Sequence, residues 1–379
     1  MEDELRWQFT AQMLYSFIVA AMTVMVPLYL LEKKVDIAWI GVILSVGPLS
    51  FMLIRIMFAS IADDIGTKKI AIVYSISNLL AIAFYTVVAS PIGFVMGTLA
   101  EGIRASGFWA IVRTELLSTE GSGKPGEVLA RFSNIRQLGD GLGRVAIGFL
   151  LAYLAFTGAF IIMFALSAAL LVLILTEKSA SNASAHVDGN TLKRIFKRRP
   201  PTFWHASVLQ LLVWLPYDMM TSFVIPLYLL SSLKLGYQEV GIVLAALSLA
   251  TGAFAILIMR LGLSNRTLLT LTGLSAIALV AFPLMGHGGI WMVMPLAMGA
   301  GCGTIVGEYI LVDQVYRSRN VSTDIGVLYA PLKTAEFIFL SLGGVAIAAF
   351  GFAPLFFVLA LSTALFVIFG RATIRDMHK

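Results

Sequence analysis

Apolar runs long enough to cross a lipid bilayer follow one another along almost the whole chain, and this succession constrains the fold more than any single motif. A spanning helix needs about 20 mainly apolar residues to cover a hydrocarbon core of roughly 30 Å. Measured against that length, the sequence places spans near 7–31, 37–61, 69–90, 92–114, 128–155, 158–176, 203–230, 238–260, 267–286, 289–312, 325–350 and 353–371. Backbone polar groups in lipid must be satisfied within the segment, so runs of this length are read as helices. Composition agrees: 59% of the 379 residues are hydrophobic and 13% are charged, against roughly 45–50% and about 25% in soluble domains. The expected fold class is an all-α polytopic membrane protein with about twelve transmembrane helices.

No length remains for a soluble catalytic domain. The sequence has no phosphate-binding loop, nucleophile elbow or metal-ligand spacing, so it does not read as an enzyme, and no cofactor or metal is expected. Its one cysteine, Cys302, has no partner for a disulfide. The opening "MEDELRWQFT" is acidic and polar rather than a basic leader, so the first span is expected to stay in the membrane.

The formal charge of +6 does not indicate a nucleic-acid partner, because the basic residues alternate with the apolar segments. Lys68 and Lys69, Lys124, the stretch from Lys178 to Arg199, Arg260 and Arg266, and Arg317 and Arg319 fall in alternate connections. The opposite connections offer little beyond Lys33, Lys34 and Lys234. By the positive-inside rule both termini are cytoplasmic. The expected setting is a prokaryotic plasma membrane, with membrane lipids around a monomer. The one long connection, "EKSASNASAHVDGNTLKRIFKRRPP", mixes Ser, Asn and Gly with a basic cluster and reads as a linker.

The two sides of that linker repeat each other. "VPLYLL" at 26–31 returns as "IPLYLL" at 225–230, "IGVIL" at 40–44 as "VGIVL" at 240–244, and "GRVAI" at 143–147 as "GGVAI" at 343–347. Three blocks in one order at nearly one spacing indicate parallel repeats of six spans related by an axis along the membrane normal. The expected organisation is a six-helix bundle over 1–178, a cytoplasmic linker over 179–201 and a second, pseudo-symmetric six-helix bundle over 202–379.

Between the second and third spans stands "ASIADDIGTKK" at 59–69, with Asp63, Gly66, Lys68 and Lys69 in a tight basic turn. This resembles the signature loop of the major facilitator superfamily, with Ala59 in place of its first glycine and Thr67 in place of its usual arginine. The resemblance covers the whole chain through the twelve spans, the central linker and the repeat. It implies that Asp63, Gly66 and Lys68, with Arg113 at the inner end of span four, tune a cytoplasmic gate.

Ionisable residues inside a membrane helix cost about 2.5–3.5 kcal/mol on insertion scales and so tend to face a cavity or a partner. Span four sets Glu101 and Arg104 three apart, and span five sets Arg136, Asp140 and Arg144 at four-residue intervals along one face. The surplus of arginine is a candidate anion site. Span seven aligns Gln210, Trp214, Asp218 and Ser222, while Glu308, Lys333 and Glu336 leave the second half richer in acids. Arg136, Asp140, Arg144, Asp218, Glu308, Lys333 and Glu336 form the candidate charge network for proton coupling; the competing reading of the close pairs is structural ion pairing. Arg55 reads as a snorkelling or gating charge near a helix end. In the superfamily it resembles, the cavity is lined by spans one, four, seven and ten, which implies Gln12, Tyr15, Glu101, Arg104, Phe108, Trp214, Asp218 and Glu308 as substrate-binding residues. The function this implies is secondary active transport of a small-molecule substrate, anionic or zwitterionic, coupled to protons and working by alternating access. The alternatives are export of lipids or amphiphilic drugs, and a non-transporting sensor or scaffold on the same fold.

Overall fold

The structure is a computed structural model that describes the backbone of residues 2–65, 67–88, 90–118, 125–176, 198–315 and 321–376, with side chains described outside 2–8, 56, 59–65, 67, 111–118, 125–133 and 372–376. Among the described residues all regular structure is helical. The first half holds α1 (Glu2–Glu32), α2 (Ile37–Ile65), α3 (Thr67–Val87), α4 (Pro91–Ser118) and α5 (Pro125–Thr176). In the second half α6 (Pro201–Met219) runs through a π-helical turn (Met220–Val224) into α7 (Ile225–Ser231). It continues with α8 (Tyr237–Leu261), α9 (Asn265–Leu284), a 3-10 segment (Gly286–Met292), α10 (Val293–Val315), α11 (Val321–Phe350) and α12 (Ala353–Asp376).

Ten described segments are long and apolar enough to cross a membrane. The longest, Asn134–Thr176, covers 43 residues, twice what one crossing needs. It contains a break: Ala155 has φ 53 and ψ −176 inside α5, so the two arms of α5 are separate crossings. α4, whose apolar run is diluted by Glu101 and Arg104, is not among the ten. Counting both arms of α5 and adding α4 reaches the twelve expected from the sequence.

The packing repeats as the sequence does. α1 packs on α5, α2 on α4, and α3 on α4 and α5; in the second half α6 packs on α11 and α12, α8 on α10, and α9 on α10 and α12. The backbone echoes it residue by residue. Lys34 and Lys234, 200 apart, both take a left-handed conformation (φ 59 and 57) where a span turns into the next. Ala155 and Gly351 (φ 53 and 74) do the same at an offset of 196.

That second offset corrects the third sequence block. The Cβ that Gly41 lacks would meet the Leu340 carbonyl oxygen and the Gly344 amide, and that of Gly241 would meet the Arg144 carbonyl oxygen and Gly148. Gly41 and Gly241 are 200 apart, but their partners on α11 and α5 are 196 apart. "GRVAI" and "GGVAI" therefore match one helical turn out of spatial register. Runs of Gly, Val, Ala and Ile offer false matches a turn away, whereas backbone contacts do not.

The two halves meet along α2 with α11 and α5 with α8. Lipid gives helices no hydrophobic drive to associate, so close backbone approach through small residues carries such seams. At Gly148 an added Cβ would lie 2.9 Å from the Gly241 Cα and 2.9 Å from the Tyr237 carbonyl oxygen. At Gly344 it would lie 2.5 Å from the Ile37 carbonyl oxygen and 3.0 Å from the Ala38 Cα. Both seams lie at the end where α1 passes into α2. There the Tyr237 hydroxyl also donates to Glu32 Oε2 at 3.1 Å, tying the halves together.

Candidate functional site

A cavity of about 330 Å³ lies between the two halves, at the lower end of the range for small-molecule sites. Its walls come from α1, α2, α4 and α5 on one side and from α6, the π turn and α11 on the other. Toward the α1–α2 end it stops at Leu340 and Arg144, whose carbonyl oxygens face Gly41 and Gly241. The glycine seams thus form its ceiling.

Among the described residues, five cations (Arg55, Arg104, Arg136, Arg144, Lys333) and four acids (Glu101, Asp140, Asp218, Glu336) line this space. The first half supplies four arginines and two acids, the second one lysine and two acids. The walls therefore carry one surplus positive charge, with the positive end on the first half.

On α4, Glu101 and Arg104 sit on one face but make no direct ion pair. Glu101 lies beside Tyr85, whose hydroxyl shares a hydrogen bond with Thr98 at 3.1 Å. Arg104 is 5% exposed, and its Nε and Nη1 are buried without hydrogen-bond partners. Its guanidinium is instead held over the Tyr15 ring, 5.5 Å from the centroid. Tyr15 stacks on Phe108 with centroids 3.6 Å apart and planes 6° from parallel. Gln12, one turn before Ser16 on α1, donates from Nε2 to the Ser16 hydroxyl at 2.8 Å and leaves its buried Oε1 unpaired.

On α5 the four-residue spacing puts Arg136, Asp140 and Arg144 into one wall, with Asp140 between two guanidinium groups. Arg144 donates from Nη1 to the Ser248 hydroxyl of α8, which fixes it across the seam. Arg136 lies between two indoles, 5.7 Å from the Trp109 ring and 5.8 Å from that of Trp214. Trp109 belongs to its own half and Trp214 to the other, so one cation is shared across the interface.

The second half concentrates its charge on three residues. Lys333 Nζ lies 2.6 and 2.8 Å from the two Glu336 carboxylate oxygens and 3.7 Å from Asp218 Oδ2. Glu336 is buried and Asp218 keeps 32% of its side-chain exposure. The π turn begins two residues after Asp218, and Ser222 within it donates to the Asp218 carbonyl at 2.6 Å. Thr221 and Ser222 of this turn line the cavity; such turns recur at functional sites.

Of the substrate-binding residues expected from the sequence, Gln12, Tyr15, Glu101, Arg104, Phe108, Trp214 and Asp218 line the cavity, and Glu308 does not. Glu308 lies on α10, a helix that contributes no residue to the lining. Arg136, Asp140, Arg144, Lys333 and Glu336 all reach it. Gln210 does not line the cavity: it accepts from Trp214 Nε1 at 2.8 Å and donates to the Gly307 carbonyl at 2.6 Å. Of the two readings of Arg55, snorkelling is corrected: the residue is 2% exposed and forms part of the cavity wall. Its place well inside an apolar helix was a usable signal. Of the gate residues, Lys68 donates to the Leu175 carbonyl at 3.4 Å; Gly66, the side chains of Asp63 and Arg113, and linker residues 179–197 lie outside the described residues.

The sequence profile described as Major Facilitator Superfamily matches residues 8–307. A search of curated proteins finds no match to this chain. Among solved structures, the crystal structure of a D-xylose-proton symporter superposes with a TM-score of 0.76 at 9% identity, covering 96% of this chain and 97% of its own. A POT family transporter in complex with 5-aminolevulinic acid superposes with a TM-score of 0.74 at 13% identity, covering 100% of this chain and 97% of its own. At those identities the likeness speaks for the fold alone.

Proposed function

The chain belongs to the Major Facilitator Superfamily, a multi-pass membrane transporter and not an enzyme, and on that premise we propose that it carries a small anionic or zwitterionic organic solute by proton-coupled alternating access. The observation that carries this reading is the bipolar cavity between the halves, with an arginine surplus on one wall and Asp218, Lys333 and Glu336 on the other. An anion has a reason to bind at the arginine wall, where Arg104 keeps Nε and Nη1 without partners. A proton has a reason to act at the lysine wall, where one cation serves two carboxylates: protonating either carboxylate leaves a simple pair. In this reading the seams open and close as the halves rock about the cavity, both termini and the linker face the cytoplasm, and the linker over 179–201 joins bundles 1–178 and 202–379.

The test uses proteoliposomes loaded with a pH-reporting dye and a panel of organic acids, amino acids and sugars. The expected result is proton movement driven by an organic acid or amino acid. In Glu336→Gln, proton movement is expected to fall by more than about tenfold while exchange of the same solute across the membrane persists, because removing the proton carrier removes coupling and not binding. Proton flux in the variant equal to that of the parent protein rejects Glu336 as the coupling group. A panel in which no solute moves in either assay rejects transport of this class.

A further inference from the structure

The cavity's donors are distributed unevenly, and this carries the substrate class further. Three of the hydroxyls in its walls donate within their own helices: Thr98 to the Phe94 carbonyl at 2.9 Å, Thr221 to that of Tyr217 at 3.0 Å and Ser222 to that of Asp218 at 2.6 Å. A charged donor remains unspent. Arg104 is more than nine-tenths buried, lines the cavity, and keeps Nε and Nη1 without partners.

The neighbours of that guanidinium are flat. Tyr15 and Phe108 form a parallel stack, Trp109 meets Phe108 edge-on with centroids 5.3 Å apart, and Arg104 itself rests over Tyr15. A cation held by a π face rather than by a carboxylate stays charged without losing its donors. The first half therefore presents an anion receptor set in an aromatic wall, and the surplus of one positive charge in the cavity fits one negative charge on the ligand.

We propose that the transported solute is a monocarboxylate carried on an aromatic or conjugated planar body, its carboxylate on Arg104 and its ring against the wall of Tyr15, Phe108 and Trp109. This rests on the transporter reading and narrows it. A guanidinium–carboxylate pair is planar and directional, and ring-on-ring contact favours an aromatic body over a saturated one of equal charge.

The experiment is equilibrium binding to the purified full-length protein in lipid nanodiscs, read by tryptophan fluorescence and by thermal shift, with four probes: benzoate, cyclohexanecarboxylate, benzamide and glycine. Benzoate is expected to bind about three- to tenfold more tightly than cyclohexanecarboxylate and at least about tenfold more tightly than benzamide. Arg104→Lys is expected to weaken benzoate by about tenfold while keeping the charge. Because Arg104 is buried, Phe108→Leu supplies a second variant, expected to erase the preference for benzoate over cyclohexanecarboxylate. Equal binding of the two carboxylates overturns the aromatic part, and benzamide equal to benzoate overturns the carboxylate part. Glycine binding without benzoate overturns the proposal and leaves the zwitterion reading in force. If none of the four binds, the proposal falls, and solute-driven proton flux in the proteoliposome panel decides separately whether the transport reading stands.

Discussion

Lys333→Met is expected to destabilise the protein by about 3 kcal/mol, the lower end of what breaking a buried ion pair costs, and to abolish transport. Among the described residues the lysine is the one cation on its wall, and it touches both acids there: Glu336 at 2.6 Å and Asp218 at 3.7 Å. Removing it leaves Glu336, whose side chain is 5% exposed, with a buried carboxylate and no counter-charge. Lys333 itself keeps 19% exposure and rests over the Phe51 ring at 5.2 Å, which sets the cost at the low end. Glu336→Gln alone removes one of two acids from a lysine that retains Asp218, so its cost is expected to stay below that of Lys333→Met. The decisive variant is the pair: Lys333→Met with Glu336→Gln should recover much of the stability lost in Lys333→Met, since no buried charge is then stranded. Thermal unfolding in detergent of the parent, both single variants and the double variant gives the coupling directly. Additive losses would show that Lys333 stabilises by packing on Phe51 and not by holding the acids.

How much of this was written legibly in the sequence depends on the physical scale of each signal. Spans were legible because lipid imposes length and polarity on every crossing. The repeat was legible where proline and tyrosine mark it, as at Pro27 and Pro226, and misleading where only small apolar residues do, as at 143–147 and 343–347. The charged stripe on α5 was legible because four-residue spacing fixes a face whatever the neighbours are. Gln210 shows the limit of the same rule: a helical face spans more than one neighbour, and its amide found Trp214 and Gly307 rather than the cavity.

The pairings were not legible. Spacing placed Glu101 under Arg104 but could not show that the guanidinium prefers the Tyr15 face, because Tyr15 lies on α1 and arrives only through the fold. Arg136 is the stronger case. Its two indoles come from α4 and α6, more than 100 positions apart in sequence, and no local pattern links them. The π turn at Met220–Val224 is not legible in its own residues, MTSFV, which are compatible with an ordinary α-helix; the available signal was the pair Pro216 and Pro226 that brackets it, since a proline removes a helix amide.

Gly41→Ala combined with Gly241→Ala is expected to lower transport by more than about tenfold, a barrier change of roughly 1.4 kcal/mol or more, and to open the cavity from the end where α1 passes into α2. At Gly241 an added methyl would lie 2.7 Å from the Arg144 carbonyl oxygen and 2.7 Å from the Gly148 Cα; at Gly41 it would meet the Leu340 carbonyl oxygen and lie 2.9 Å from the Gly344 amide. These obstacles are backbone, so no rotamer change relieves them, and the helices must separate. Both seams form the cavity ceiling, and separating them is the motion that a transporter would otherwise make only once per cycle. Labelling reads this out. In a Cys302→Ala background, Thr23→Cys in the cavity wall is expected to react with an impermeant maleimide faster in the double-glycine variant when the reagent is applied from the α1–α2 side, and slower from the other. Gly273→Ala is the control, because its added carbon would meet only Val367, at 3.8 Å, an ordinary contact, and it should change neither rate. Should Thr23→Cys label at the parent rate from both sides while transport persists, the seams are static packing, and the moving surface lies elsewhere between the halves.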